Sequence, residues 1–312
     1  MNIKTVMKVA ALSLFVWVAF SNCNGNDPIK EKRNAIAAEL EKEAKRVYEI
    51  KTFSFDDWSQ VQKPNSEEFN KYMMPEQKDD ADKTESGRFW KSASNFGYSM
   101  KDPRAKAEDF PVYFAEPGRS GKGLRLRTNE GLMLFGMGSY IIPGSLYNGL
   151  LKHSELLLTP LKATMFGTGY ALKPIKLIGY YKFKAGEKYI NGKTGKGVEG
   201  KDQGSITSVF YEITSDETYL NGETLYTDAR IVAVAKFIAD DTEGDEWKQF
   251  EAKFETINEE AMKTLDFGKK KYRLAIVMSS SAKGDLFLGA VGSTLCVDEL
   301  QVKGESLKNE SK

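Results

Sequence analysis

Residues 175–184 read Ile-Lys-Leu-Ile-Gly-Tyr-Tyr-Lys-Phe-Lys, and this stretch indicates the fold class of the whole chain. Its odd-numbered positions are apolar or glycine, whereas lysines recur at the even-numbered ones. A period of two places successive side chains on opposite faces of an extended strand. The stretch therefore predicts a β-strand that buries one face in a core and exposes the other.

The same pattern predicts further strands elsewhere in the chain. Leu124 and Leu126 alternate with Arg125 and Arg127, and two segments nearer the C-terminus alternate in the same way. Two other segments are apolar almost throughout, which is typical of central strands. The alternating segments are 250–255 and 272–278, and the apolar ones are 206–213 and 230–237.

Turn sequences separate these strands, and no long helical period lies between them. Glycine-containing turns at 221–222, 243–245 and 283–285 are the clearest. Short strands separated by such turns favour an antiparallel arrangement over a parallel-sheet enzyme fold. We therefore expect an all-β fold, an antiparallel β-sandwich of jelly-roll type over residues 89–303, followed by a tail at 304–312.

The charge balance and the scarcity of certain side chains exclude several classes of protein. The 312 residues carry 45 Lys and Arg against 44 Asp and Glu, a net charge of +1. This balance gives no long-range positive field, so nucleic acid is not expected as a partner. His153 is the single histidine and there are two cysteines, which leaves little material for a Ser-His-Asp triad, a multi-histidine zinc site or a disulfide framework.

The N-terminus has the pattern of an export signal. Lys4 and Lys8 accompany an apolar run at 9–20, which is shorter than the about 20 residues that span a bilayer. Residues 20–23 read Phe-Ser-Asn-Cys and resemble a bacterial lipobox, so we predict a signal peptide at 1–22 and a lipid on Cys23.

The lipid site determines the expected location of the protein. A lipid on Cys23 would make it an outer-membrane lipoprotein of the cell envelope, on the surface or the periplasmic face. Alternatively, cleavage near residues 19–21 would release it into the periplasm with Cys23 unmodified.

The segment between Cys23 and the sandwich is predicted to hold the sandwich off the membrane. Residues 28–50 combine apolar positions at helical spacing with Glu, Lys and Ala, and Pro28 suits a first helical turn. We expect one amphipathic helix there, within a tether at 23–61. Residues 62–88 are polar, contain two prolines and show no sustained period, so we predict a long loop.

Aromatic and polar side chains are the candidate ligand contacts. Sugars bind by stacking their apolar faces on exposed rings, while polar groups bond their hydroxyls. Trp90 falls between polar stretches, Tyr180 and Lys182 share the lysine-bearing face of their strand, and Asp285 lies in a predicted turn. We predict these four as ligand-binding residues. Trp247 begins a predicted strand, and we expect it to lie in the core.

The closing segment of the chain carries a family resemblance. Residues 279–300 read SSSAKGDLFLGAVGSTLCVDEL and resemble the closing signature of the putative carbohydrate metabolism domain (PCMD) family. Residues 177–183 and 118–128 resemble a central strand and an earlier loop and strand of that family, so the resemblance spans 85–302. It implies a jelly roll similar to carbohydrate-binding modules, on a surface or periplasmic protein, and it assigns no catalytic residues.

The resemblance also concerns two acidic positions and one cysteine. Jelly-roll modules of this kind often hold a structural calcium near an Asp of the last strand, which implies a calcium site at Asp298 with Asp57 or Asp56. Cys296 stands where the resemblance leads us to expect an aromatic residue.

Three hypotheses about function follow. The first is a non-enzymatic module for glycan binding or adhesion in glycan utilisation. The second is a carbohydrate-active hydrolase that uses loop carboxylates, among them Asp202, Asp228 and Glu223, because such enzymes need two carboxyl groups facing each other across a sugar. The third is a structural subunit of an envelope assembly, whose partner is an envelope protein instead of a glycan.

Overall fold

The computed structural model describes the chain from residue 28 to residue 307, apart from three interruptions. The signal peptide predicted at 1–22 and the lipid site at Cys23 lie outside the described residues. Among the described helices, none is both long enough and apolar enough to cross a membrane. The chain divides into two compact units, 1–46 and 47–312. The described residues are 28–44, 46–134, 137–156 and 158–307.

In the first unit, the described residues form helix α1 (Pro28–Ala44). The helix predicted over 28–50 begins at the predicted residue but ends before residue 50, because Val47–Phe53 forms strand β1. This strand pairs along its whole length with residues 300–306. Hydrogen bonds to a segment distant in sequence outweigh the local helical spacing at 47–50.

Strands dominate the described part of the second unit. Three short helices accompany them, α2 (Ala93–Lys101), α3 (Pro160–Ala163) and α4 (Glu259–Lys263). The strands are β1 (Val47–Phe53), β2 (Trp58–Gln62), β3 (Phe69–Pro75), β4 (Trp90–Lys91), β5 (Val112–Ala115), β6 (Gly123–Arg127), β7 (Asn129–Leu134), β8 (Met137–Ile142), β9 (Ser145–Leu151), β10 (Thr164–Phe166), β11 (Thr168–Gly169), β12 (Lys173–Lys184), β13 (Tyr189–Asn191), β14 (Gly204–Ile213), β15 (Ile231–Ala239), β16 (Lys248–Lys253), β17 (Glu255–Thr256), β18 (Lys271–Ser279), β19 (Leu288–Ala290) and β20 (Thr294–Ser306).

Two antiparallel sheets form the body of this unit. The first sheet has the order β16-β12-β20-β6-β5, and β1 pairs with the far end of β20. The second has the order β10-β9-β18-β14-β15-β17, with β4 beside β9 and β11 beside β18. Three two-stranded ribbons, β2-β3, β7-β8 and β13-β19, accompany the sheets.

The chain path through the longest strands is that of a jelly roll. Strands β6, β12, β16 and β20 belong to the first sheet, and β9, β14, β15 and β18 to the second, so the chain crosses between the sheets at nearly every connection. Eight strands in this order form the two Greek keys of the jelly roll. The predicted all-β antiparallel sandwich of jelly-roll type is confirmed.

The apolar faces of the two sheets form one core. Leu177 and Phe183 of β12 are buried, and they belong to the same cluster as Ile206 and Phe210 of β14. Strand β14 is buried on both faces, because a second cluster around Val209 and Tyr211 covers its other side. This burial explains why its sequence is apolar almost throughout.

The segment at 62–88 is not the long loop that its polar composition predicts. Strand β3 lies within it and pairs with β2. Tyr72 and Met74 of β3 are buried in the main core. Arg88 is also buried, and its Nη2 donates to Ser59 Oγ at 2.7 Å and to the Gln60 carbonyl at 3.1 Å. The short apolar alternation in β3 was obscured by its polar neighbours, whereas packing against the core fixes the strand.

Asp202 holds the closing segment of the sandwich in place. Its Oδ2 accepts hydrogen bonds from Ser281 Oγ at 2.7 Å, Ser293 Oγ at 2.7 Å and Ala290 N at 2.8 Å. Its Oδ1 accepts one from Gln203 N at 3.0 Å. Burial raises the pKa of Asp202, and the hydrogen bonds from Ser293 and Ser281 oppose that rise. The loop carboxylate predicted as a possible catalytic group is thus a buried structural acceptor.

We expect Asp202→Ala to lower the free energy of unfolding by about 3 kcal/mol, because three buried donors lose their acceptor at once. Asp285→Ala is the matched control from the segment that Asp202 holds. Asp285 is exposed, so its replacement should cost less than about 0.5 kcal/mol. Urea unfolding followed by circular dichroism measures both values. Equal stability of the two variants would contradict the structural role of Asp202.

His153 forms an ion pair with a buried carboxylate. Its Nε2 lies 2.5 Å from Glu85 Oε2, and the Phe96 ring meets the imidazole edge to face at 4.8 Å. The hydrogen bond to Glu85 raises the pKa of His153, while burial and the nearby Lys91 act in the opposite direction. The folded protein therefore binds the imidazolium proton more tightly than the unfolded chain does.

We expect this pair to stabilise the fold fully below the ordinary histidine pKa and to lose its contribution as the pH rises through the raised value. Between about pH 5.5 and 7.5, the free energy of unfolding should fall more steeply for the wild type than for His153→Gln. The pH range ends at about 7.5 because Lys91, whose pKa burial lowers to about 8, would also begin to titrate above it. Parallel pH profiles of the two proteins would rule the contribution out.

Candidate functional site

Four side chains form a row across the outer face of the first sheet. The strand register pairs Tyr113 of β5 with Arg125 of β6, Arg125 with Cys296 of β20, and Cys296 with Lys182 of β12. Adjacent strands lie about 4.8 Å apart, so the row spans about 14 Å. Arg125 and Cys296 each lie between buried neighbours on their strands, and Lys182 lies between Tyr181, which packs against the core, and the buried Phe183. Their side chains therefore point away from the core.

A groove of 610 Å³ lies over this row. The segment 113–118, which continues from β5 into the following loop, lines one part of it, and the turn that carries Asp245 and Trp247 lines another. Its volume lies within the range of about 300–1,000 Å³ that is usual for small-molecule sites. The groove is lined by Tyr113, Phe114, Ala115, Glu116, Pro117, Gly118, Arg125, Lys182, Asp245, Trp247 and Cys296.

Three aromatic rings line the groove. The Tyr113 and Phe114 rings stack with their centroids 4.0 Å apart. Lys182 Nζ lies 4.9 Å from the centre of the Trp247 ring. This indole also reaches β6, where a Cβ on Gly123 would lie 3.3 Å from its Cη2. The groove thus offers flat apolar surfaces at these rings.

The prediction that Trp247 lies in the core is wrong. The residue is only half-buried and precedes β16, after the turn at 243–245. The first core residue of β16 is Phe250, which is 3% exposed. The alternation at 250–255 marks the core face of the strand but does not extend back to Trp247.

The polar groups of the groove floor have distinct electrostatic states. Burial raises the pKa of the Cys296 thiol to about 11, so it is neutral at physiological pH. Arg125 Nη2 donates to the carbonyls of Glu108 at 2.6 Å and Phe110 at 3.3 Å. Burial lowers the pKa of Arg125, but an arginine remains charged at any physiological pH. Lys182 and Arg125 thus flank an uncharged side chain.

Of the predicted ligand contacts, Lys182 lines the groove and Tyr180 lies beside it. Tyr180 precedes Lys182 by two positions on the same strand face. Its ring is covered by Arg119, whose guanidinium carbon lies 3.6 Å from the ring centre. Arg119 also forms an ion pair with Glu299 at 2.5 Å. This stack borders the loop that forms one wall of the groove.

Trp90 cannot contact a ligand. Its side chain is 0% exposed. It packs against Phe53, Phe55 and Phe89 with ring centroids 5.0 to 5.7 Å away. The prediction of a ligand contact at Trp90 is wrong, because the residue lies in β4, which pairs with β9, and its ring belongs to the main core.

The other carboxylates considered for ligand contact or catalysis lie outside the groove. Asp285 is exposed in the helical turn Gly284–Leu286 and does not line the groove. Asp228 forms an ion pair with Arg230 at 2.6 Å, and Glu223 lies 3.8 Å from Lys162. Each of these three groups has a local partner or is solvated.

The predicted calcium ligands do not fit a metal site. Asp298 is 0% exposed, and its carboxylate accepts backbone hydrogen bonds from Arg119, Ser120 and Glu299 at 2.7 to 3.2 Å. Asp57 is exposed. Within the described ranges, no group of three or more His, Cys, Asp or Glu side chains could hold a metal ion. Asp298 instead anchors the loop at 118–121 that forms part of the groove wall.

Of the residues that line the groove, the sequence predicted only Lys182 as a ligand contact, and the residues it missed include Tyr113, Arg125 and Trp247. The alternation of Leu124 and Leu126 with arginines did place Arg125 on an outward face. The sequence does not indicate that β5, β6, β20 and β12 are neighbours in one sheet. It therefore could not show that Tyr113, Arg125 and Lys182 share one surface.

The comparisons with known proteins agree with this fold. The family model of the putative carbohydrate metabolism domain matches residues 54–303. A putative glycoside hydrolase from Bacteroides thetaiotaomicron VPI-5482 is 33% identical, with a TM-score of 0.66 over 80% of this chain and 69% of that chain. A second putative glycoside hydrolase, from Bacteroides vulgatus ATCC 8482, is 33% identical, with a TM-score of 0.65 over 80% of this chain and 96% of that chain.

The search of curated proteins gave no match. The family match covers most of the chain, and the two solved structures are similar to it in both sequence and fold. The resemblance predicted over 85–302 is confirmed and extends further toward the N-terminus. This chain belongs to the putative carbohydrate metabolism domain family.

Proposed function

We propose that the protein binds a glycan in the groove on the outer face of the first sheet. The observation that carries this proposal is that the aromatic rings of Tyr113 and Trp247 both line a groove whose floor is polar. Sugar rings present apolar C–H faces and polar hydroxyl edges, and aromatic walls with a polar floor complement both. Membership of a carbohydrate-related family and likeness to two putative glycoside hydrolases support a glycan as the ligand.

The groove is suited to binding without large rearrangement. Its floor consists of residues on paired β-strands, which hold their side chains more precisely than loops do. Backbone hydrogen bonds to Asp298 fix the loop at 118–121. A pre-organised site loses little conformational entropy when a ligand binds.

We expect Trp247→Ala and Tyr113→Ala each to weaken glycan binding by at least about tenfold, because each removes a stacking surface from one wall. Affinity gel electrophoresis against a panel of soluble plant and bacterial polysaccharides measures the change. Tyr226→Ala is the matched control. Tyr226 is 47% exposed and also lies near a lysine, Lys236 of β15, but that strand belongs to the second sheet.

Thermal unfolding of each variant shows whether the fold survives the substitution. Binding that is unchanged in both groove variants would overturn this site, and a panel in which no polysaccharide binds would overturn the function. If the wild type releases reducing ends from a polysaccharide and Glu116→Gln or Asp245→Asn does not, the function of the groove is hydrolysis instead of binding alone. These two carboxylates both line the groove.

We also propose that the protein is exported and anchored by a lipid on Cys23. The short apolar run at 9–20 and the lipobox-like residues 20–23 support this proposal. Several acyl chains on one cysteine would hold the domain at a membrane, since each buried methylene contributes about 0.8 kcal/mol.

We expect radiolabelled palmitate to enter the wild-type protein in a bacterium that processes lipoproteins, and not to enter Cys23→Ser. Cys296→Ser serves as the control, since it removes the other cysteine and should be labelled like the wild type. An unlabelled wild-type protein whose N-terminus follows residues 19–21 would show ordinary cleavage instead.

A further inference from the structure

Two cations on the groove floor lack a carboxylate partner. Neither Arg125 nor Lys182 forms an ion pair with any acidic side chain in the described parts of the chain. Another lysine of β12 does form one, since Lys176 Nζ lies 2.5 Å from Glu251 of β16. Buried charges are ordinarily paired, and the half-buried Arg125 and Lys182 have no carboxylate partner within ion-pair distance.

The residue between the two cations does not compensate their charge. Cys296 pairs with Arg125 on one side and with Lys182 on the other. Its thiol is neutral, because burial raises its pKa to about 11. The floor therefore presents two positive charges around an uncharged group.

The acidic residues of the groove lie on its exposed rims. Glu116 and Asp245 are both exposed, whereas Arg125 and Lys182 are half-buried. Water screens the rim charges more strongly than the floor charges. The two cations of the floor are therefore screened less than the two carboxylates of the rims.

The guanidinium of Arg125 is held in place. Its Nη2 donates to two backbone carbonyls, those of Glu108 and Phe110, and its buried Nε has no hydrogen-bond partner. The guanidinium carbon lies 5.2 Å from the centre of the Tyr113 ring. These contacts hold the guanidinium in one position, beside the Tyr113 ring that is proposed to stack on a sugar.

We propose that the groove selects acidic glycans, with the anionic group of a sugar held between Lys182 and Arg125 while its ring stacks on Tyr113 or Trp247. This inference rests on the proposed glycan-binding function and narrows its ligand class. An anion at this position forms charge-assisted hydrogen bonds with both cations in a partly desolvated site. The anionic group is a uronate carboxylate or a sugar sulfate, since both present oxygen acceptors to the same pair of cations.

The test compares pairs of polymers that share a backbone and differ in whether their acidic groups are present and charged. Polygalacturonate and its fully methyl-esterified form share a backbone, and carrageenan and its desulfated form are the equivalent pair for sulfate. We expect the wild-type protein to bind at least one acidic polymer about tenfold or more tightly than its neutral counterpart. Added salt should weaken the acidic binding and leave any neutral binding unchanged.

Variants of Lys182 locate the preference. Lys182→Gln should remove most of the preference for the acidic polymer, and Lys182→Arg should retain it. Lys236→Gln is the matched control, because Lys236 is an exposed strand lysine on the second sheet that also stands near an aromatic ring. Asp245→Asn should strengthen acidic binding, since it removes a negative charge from the rim.

The outcomes separate this inference from the function on which it rests. Equal binding of the acidic and neutral members of both pairs would overturn the acidic preference and leave glycan binding intact. A preference that persists in Lys182→Gln would overturn the assignment of the anion to this floor. If no polymer in either pair or in the wider panel binds, both the glycan-binding function and the acidic preference fail.

Discussion

Strand β20 pairs with three other strands along its length, and the first sheet depends on that pairing. Its N-terminal half lies between β12 and β6, and its C-terminal half lies between β12 and β1. Leu295, Val297, Leu300 and Val302 of this strand are all buried in the main core. The hydrogen bonds and the apolar burial of one strand therefore bring together segments from both ends of the domain. Because each ladder fixes the register of its neighbour, the positions of outward side chains follow from the same pairing.

The groove is a consequence of this register. Arg125, Cys296 and Lys182 come from three parts of the chain, and they form a row because their strands are adjacent and in step. The apolar residues on either side of these three positions pack in or against the core. Because successive side chains of a strand point to opposite faces, the three side chains lie on the outer face. The core therefore positions the site without contributing an atom to its surface.

Two buried carboxylates fix loop segments of the domain, one of them beside the groove. The carboxylate of Asp298 accepts backbone hydrogen bonds from the loop at 118–121, and that of Asp202 gathers the segment at 281–293. Buried carboxylates cost free energy unless their acceptor sites are filled, and here backbone amides and serine hydroxyls fill them. In both cases an acidic residue that suggests calcium binding or catalysis in the sequence has a structural role in the fold.

The sequence by itself determined the fold class, the central position of β14 and the outward faces of β6 and β12. Each of these follows from the spacing of apolar residues along a strand, which is a local property. Only the tertiary structure decided that Trp90 is buried, that Trp247 is half-exposed and that residues 62–88 contain a strand packed on the core. It also decided that Arg125 and Lys182 share one surface. The physical reason is that a period of two identifies which side chains share a face, whereas the neighbour of each strand and the cover over each face depend on contacts between distant segments.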